Sequence, residues 1–181
     1  MVYASTNLIV MKVPIMSNIE NPYYWLEKMI EARITGQLHR AIYWTSNANW
    51  DVIQKSHRNY FYQLLTAEHK VLDVGCGYGA LIECIPSEVD YTGIDLNPYL
   101  VAWGSRRYET NRLFVGDGKN LSQFQDKTFD YTISRSVVGG LSEDCGFEYV
   151  DLLKEEMKRV SHKTIYLGFT HPDVVEVEDY S

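Results

Sequence analysis

At 181 residues the chain is long enough for one domain with a proper core, and 45% hydrophobic with 23% charged residues is ordinary globular composition. A net charge of −7 argues against broad electrostatic binding to nucleic acid or anionic membrane. No apolar run reaches the length of a membrane span, and Cys76, Cys84 and Cys145 have no metal-ligand spacing, so reduced thiols in a cytoplasmic protein are expected.

Near the start, residues 8–13 form an apolar run stopped by Pro14, either a strand covering a sheet edge or a mobile terminus. Asn21-Pro22 reads as a helix cap followed by proline at the first helical position. Trp25, Leu26, Met29, Ile30 and Arg33 follow at helical spacing, and Gly36 ends the run. A short second helix is expected over residues 37–43, then a loop over 45–49. Trp50, Ile53, His57, Tyr60, Phe61, Leu64 and Leu65 next share one face of a longer helix. Core packing explains that stripe, while Tyr43, Trp44 or Trp50 could reach over a ligand pocket.

Residues 70–74 form a short β-branched, apolar run suited to a strand buried on both faces. Gly75, Gly77 and Gly79 follow at every second position, and residues 80–85 resume a helical pattern. Such a turn lets backbone N–H groups approach a ligand closely, because no Cβ intervenes. Strands over 91–95, 113–117, 129–134 and 163–169 alternate with helices from Asn97-Pro98 to about Tyr108 and from about Glu143 or Phe147 to Val160. Short connections between them are the signature of βαβ units and a parallel sheet. Asp73, Asp95 and Asp117 stand at the carboxyl ends of the first three strands, 22 residues apart in both intervals. Ligands of open α/β sheets bind outside those ends.

Gly75, Gly77 and Ala80 satisfy the dinucleotide fingerprint, so the glycines alone decide little. A carboxylate at Asp73 would repel a pyrophosphate and attract a cationic amino group. The segment from Val71 to Leu81 resembles motif I of the class I S-adenosylmethionine-dependent methyltransferases, acidic-x-Gly-x-Gly-x-Gly, at every position. The resemblance covers roughly residues 70–169. It implies an α/β, Rossmann-like open and mostly parallel sheet flanked by helices, with a core over residues 70–181 and an N-terminal helical extension over 1–69. It further implies S-adenosylmethionine as cofactor, bound by Asp73, Gly75, Cys76, Gly77, Gly79, Asp95, Leu96, Asp117, Gly118 and Ser134. Asp95 would meet the ribose hydroxyls and Asp117 the adenine amino group, although Asp117-Gly118 also reads as a plain turn.

The loop starting at Ser134-Arg135 would border both cofactor and acceptor, and the Arg135 fork suits an acceptor carboxylate or phosphate. Motifs of the nucleobase methylating enzymes are absent, which with the acidic charge favours a small-molecule acceptor. Transfer would be direct and in line; where a general base is needed, His171 is the first candidate and His57 the second. The chain departs from the family at its end, where the usual sheet adds two further strands. Val175 and Val177, alternating with Glu176 and Glu178, suit one short strand folding back on the fifth. A truncated or split protein, or a homodimer covering the sheet edge, are the alternatives. Two rival functions remain at this stage: a nicotinamide-dependent oxidoreductase and a non-catalytic binding protein that keeps the cofactor pocket.

Overall fold

The computed structural model describes residues 22–36, 47–137, 147–168 and 175–180. Six strands make one sheet in the order β3-β2-β1-β4-β5-β6. They are β1 Lys70–Val74, β2 Asp90–Asp95, β3 Leu113–Val115, β4 Phe129–Arg135, β5 Ser161–Leu167 and β6 Val175–Asp179. The first five run parallel, and β6 lies antiparallel on β5 with Val177 opposite Ile165. That is the fold-back expected from the alternating valines and glutamates. The strand order reverses between β1 and β4, so the crevice at a switch point opens over their carboxyl ends.

Strand alternation sends side chains to two separate cores. Val71, Tyr91, Tyr131, Ile133 and Ile165 point to one face, where helix α2 (Asn47–Leu64) lays down Phe61 and helix α3 (Pro98–Arg107) lays down Val101. Leu72, Val74 and Ile94 point to the other, against Tyr149, Val150, Leu153, Met157 and Val160 of helix α4 (Phe147–Val160). Helix α1 (Pro22–Thr35) starts at the proline expected to open it. Asn97 caps α3 as its position suggested, its side chain accepting from the Tyr99 and Leu100 N–H groups at 2.9 and 3.3 Å.

Three expectations need correction. The segment after the glycine turn is a five-residue 3₁₀ turn, Ala80–Cys84, rather than a continued helix. Pro86 disfavours helical geometry at the residue before it, and Ile85 is extended at φ −107°, ψ 154°. The loop expected over 45–49 is cut short, since α2 already begins at Asn47. β5 begins at Ser161, directly after α4, because its first residues bury hydroxyls rather than hydrocarbon. Thr132 Oγ1 lies 3.0 Å from both Ser161 Oγ and Thr164 Oγ1, and Ser161 donates to the Met157 carbonyl at 2.8 Å. Those bonds satisfy polar groups that burial would otherwise penalise. The expected elements over 8–13 and 37–43 lie outside the described residues, as does Cys145.

Candidate functional site

The glycine turn leaves β1 with Gly75, Gly77 and Gly79 at φ +78°, +57° and +80°, a region costly for any residue with a Cβ. Gly75 and Cys76 both donate their N–H to the Ile94 carbonyl at 2.9 Å, which ties the turn to β2. Asp95, at the end of β2, closes the arrangement. One of its carboxylate oxygens accepts from Gly77 N–H and the other from Asn97 N–H, each at 2.8 Å. Burial raises the Asp95 carboxyl and those two N–H groups pull it back down. Two carboxylate oxygens carry more lone pairs than these bonds use, so Asp95 can still accept from hydroxyl groups.

Asp73 sits deeper, with 2% of its surface exposed. Tyr91 Oη, from the neighbouring strand, donates to one oxygen at 2.8 Å, and among the described residues the other oxygen has no partner. Burial pushes its carboxyl up to about 6, opposed by the nearby Arg135 charge and the Tyr91 hydrogen bond. An unpartnered buried carboxylate oxygen costs roughly 1–3 kcal/mol, a deficit that a cationic donor would remove. The residues present therefore fit a ligand that brings an ammonium group to β1 and hydroxyls to β2.

Asp117 follows β3, and its carboxylate is already engaged. Oδ1 accepts from Lys119 N–H at 3.1 Å and from Tyr149 Oη at 2.8 Å, while Lys119 Nζ lies 3.6 Å from Oδ2. Gly118 is a packing glycine as well as a turn residue: a Cβ there would stand 2.7 Å from Val74 Cγ1 and 3.0 Å from Leu153 Cδ1. Leu96 is 37% exposed and presents an apolar side chain next to Asp95. Ser134, at the end of β4, is buried with its Oγ unpartnered. Cys76 is buried in the turn, and burial holds its thiol well above the ordinary range, so it stays protonated.

Arg135 ends β4 and reaches back to α2. Its Nη1 donates to Gln54 Oε1 at 2.5 Å, and its guanidinium lies 5.2 Å from the centre of the Trp50 ring. Gln54 also donates its amide to the Ala80 carbonyl at 3.2 Å and accepts from Cys84 Sγ at 3.1 Å, locking α2 to the 3₁₀ turn. His57 lies on the same helix, buried, with Nδ1 unpartnered. Burial first, and Arg135 second, lower it to about 3, so the imidazole is neutral at physiological pH. His171 lies outside the described residues.

Asp73, the glycine turn, Asp95 and Arg135 thus converge at the switch point, whereas Ser134 lies on the opposite face of β4 and Asp117 is turned toward α4. Two participants were missed in the sequence. Gln54 falls on the buried stripe four residues after Trp50 and three before His57, and a polar residue there was the available signal. Tyr91 carried none, since its bond to Asp73 needs the register that puts Tyr91 opposite Val71 on the same face.

A family model described as "Methyltransferase domain" matches residues 72–165, just over half of the chain. The chain belongs to this methyltransferase domain family. Among curated proteins it is 33% identical over 70 residues to Rv1506c of Mycobacterium tuberculosis, itself a provisional methyltransferase, covering 36% of this chain and 39% of that one. The methyltransferase domain also matches solved structures. The PH0226 protein of Pyrococcus horikoshii has TM-score 0.55 and 24% identity, over 67% of this chain and 58% of that one. A candidate S-adenosylmethionine-dependent methyltransferase of Methanococcus maripaludis has TM-score 0.56 and 16% identity, over 82% and 64%. CalS10 of Micromonospora echinaspora, an amino pentose methyltransferase solved with S-adenosylmethionine bound, has TM-score 0.53 and 21% identity, over 67% and 52%. At these identities the likenesses establish the Rossmann-like fold. The chain spans about two fifths of the curated relative and between half and two thirds of these solved ones. Among the described residues no helix is long and apolar enough to cross a membrane.

Proposed function

We propose that this protein is an S-adenosylmethionine-dependent methyltransferase acting by direct, in-line transfer on a small-molecule acceptor. The observation that carries this reading is Asp73, a buried carboxylate with one oxygen unsatisfied, next to a turn of three positive-φ glycines. The cofactor's sulfonium supplies an activated methyl group, and the protein's share of the work is positioning. Asp73 offers the partner for the cofactor's ammonium group. Asp95, braced by the Gly77 and Asn97 N–H groups, accepts from the ribose hydroxyls. Gly75, Cys76, Gly77 and Gly79 supply the close backbone approach, and Leu96 gives the nucleobase an apolar contact. Gly118 and Ser134 border the same pocket, and Asp117 would meet the adenine amino group only by exchanging its present contacts with Lys119 and Tyr149.

Aliphatic and aromatic residues of α2 exclude water, and Trp50 covers the pocket as part of the N-terminal extension (residues 1–69) on the core (70–181). His171 is the first candidate base; His57 is the second, and the burial and Arg135 charge that lower it to about 3 make it a weak proton acceptor. The net charge of −7 favours a small molecule over nucleic acid as acceptor. Two buried free thiols, Cys76 and Cys84, suit the reducing cytoplasm. The exposed strand β6 suits a homodimer that covers the sheet edge.

Calorimetric titration with S-adenosylmethionine, S-adenosylhomocysteine and NADH tests the reading. Micromolar binding of the first two and none of NADH is expected, followed by transfer of labelled methyl into a small-molecule fraction. Indifference to both sulfur nucleosides would overturn it. Binding without transfer to any acceptor pool would leave a cofactor-binding protein and not an enzyme.

A further inference from the structure

We infer that Arg159 is a positioning residue for the cofactor's nucleobase: its guanidinium sets the loop that presents Asp117 and Gly118 to adenine. This rests on the cofactor reading above, from which Asp117 and Gly118 take their roles. It gives α4 a part in cofactor recognition that acts through the loop rather than on the ligand.

Residues 116–128 carry the chain from β3 to β4, across the width of β2 and β1, without a helix. Parallel strands are usually joined through a helix that satisfies its own backbone groups, and a loop in its place must find other partners. This one folds into two consecutive turns. Asn120 N–H donates to the Asp117 carbonyl and Phe124 N–H to the Leu121 carbonyl, each at 2.9 Å. Leu121, where the turns meet, is fully buried in the core cluster that α4 shares. The end of α4 binds further main-chain groups of the loop. Glu156 Oε2 accepts from Leu121 N–H at 2.6 Å, and the Arg159 carbonyl accepts from Lys127 N–H at 3.0 Å.

The Arg159 side chain completes the clamp, with a contact for each of its five N–H donors. Nε and Nη2 donate to the two oxygens of Glu156 at 2.7 and 2.9 Å. Nη2 also donates to the Leu121 carbonyl at 3.0 Å, while Nη1 donates to the Phe124 carbonyl at 3.1 Å and to Asp126 Oδ1 at 2.8 Å. A planar fork can hold two carbonyls and two carboxylates at once; an ammonium, with three donors on one atom, cannot. As exposed ion pairs these contacts would contribute little, so their use is geometric: they fix the second turn against α4 and the first turn through it. That matters at Asp117. Its side chain must exchange Lys119 and Tyr149 for adenine, and the loop has to keep its place during the exchange.

The test compares S-adenosylhomocysteine with S-inosylhomocysteine, in which a carbonyl oxygen replaces the adenine amino group, by calorimetry on the full chain. Wild type should prefer the adenine ligand by roughly ten- to hundredfold, the scale of a hydrogen bond to a charged acceptor. Arg159→Lys keeps the charge and loses the fork, and its preference should fall to within about threefold. Arg112→Lys, at the exposed pair with Asp90 ahead of β3, should keep the wild-type ratio. A ratio kept by folded Arg159→Lys would overturn the assignment. So would equal weakening of both ligands, which would make Arg159 a structural residue only, or a ratio that fell as far in Arg112→Lys. If Arg159→Lys does not fold, Glu156→Gln sets an amide against the donors of Arg159 and Leu121, and a ratio unchanged from wild type overturns the assignment equally. Wild type binding both ligands alike would remove the Asp117 contact and the role of Arg159 with it, whereas wild type binding neither would remove the cofactor reading itself.

Discussion

Replacing Gly104 with alanine sets two opposing effects against each other. Gly104 lies in the middle of α3 and is buried, and a Cβ added there would stand 2.2 Å from the Tyr78 carbonyl oxygen, 2.7 Å from its carbon and 2.8 Å from Leu113 Cδ1. Helix propensity alone says that Gly104→Ala should stabilise by about 1 kcal/mol. Packing says otherwise, because α3 would have to retreat by about 1 Å before the contact became tolerable. Tyr78 cannot yield easily. It is flanked by Gly77, bonded to Asp95, and Gly79, bonded to the Cys76 carbonyl at 2.8 Å. Overpacking costs roughly 1–3 kcal/mol, and collision with fixed backbone belongs at the upper end. The net expectation is a loss of about 1–2 kcal/mol, or a Tm lower by roughly 2–8 °C for a domain of this size. Thermal melts followed by circular dichroism measure this, with Ala102→Gly at an exposed position of the same helix reporting propensity alone. Affinity for S-adenosylhomocysteine should fall too, since the displaced turn is the proposed cradle. A Tm that rose for Gly104→Ala would refute the packing argument, because propensity would then have prevailed.

Asp95→Ala removes the acceptor proposed for the ribose and also frees the Gly77 and Asn97 N–H groups. S-adenosylmethionine affinity should drop by a few-fold to a hundredfold by calorimetry, and unchanged affinity in a folded variant would remove the assignment. Asp73 makes a pH-dependent prediction whose sign is unusual for a carboxylate. Its folded value of about 6 lies above the ordinary 3.8, so the folded state holds this proton more tightly than the unfolded one. Stability from this group is greatest at low pH and falls as pH rises from about 4 to about 6, by on the order of 3 kcal/mol. Asp73→Asn should therefore be more stable than wild type at pH 7.5 without cofactor, and the gap should close by pH 4, as read from urea denaturation. A gap independent of pH would show that Asp73 is not strained by burial. The same variant should bind S-adenosylmethionine more weakly.

Much of the site was legible because its parts are local. Asp73 and the three glycines fall within seven residues, and the demand for positive φ at Gly75, Gly77 and Gly79 can be read from their spacing. The Asn97-Pro98 cap and the valine and glutamate alternation of β6 are likewise short-range patterns. Asp117 shows the limit. Its place after the third strand was evident, yet its bond from Tyr149 depends on α4, more than thirty residues away. The 3₁₀ turn at Ala80–Cys84 was readable in principle, since Pro86 lies close enough to stop a helix.

By itself the sequence determined the alternation of strand and helix, the glycine turn and the acids at the strand ends, because each depends on backbone preferences within a few neighbouring residues. Only the tertiary structure decided which charges meet. The pairing of β1 with β2 brought Tyr91 to Asp73, and the packing of α2 over the switch point brought Gln54 and Trp50 to Arg135, 81 residues from Gln54 along the chain. Electrostatic partners act through space over a few ångströms, so separation along the chain does not limit them and linear spacing cannot reveal them.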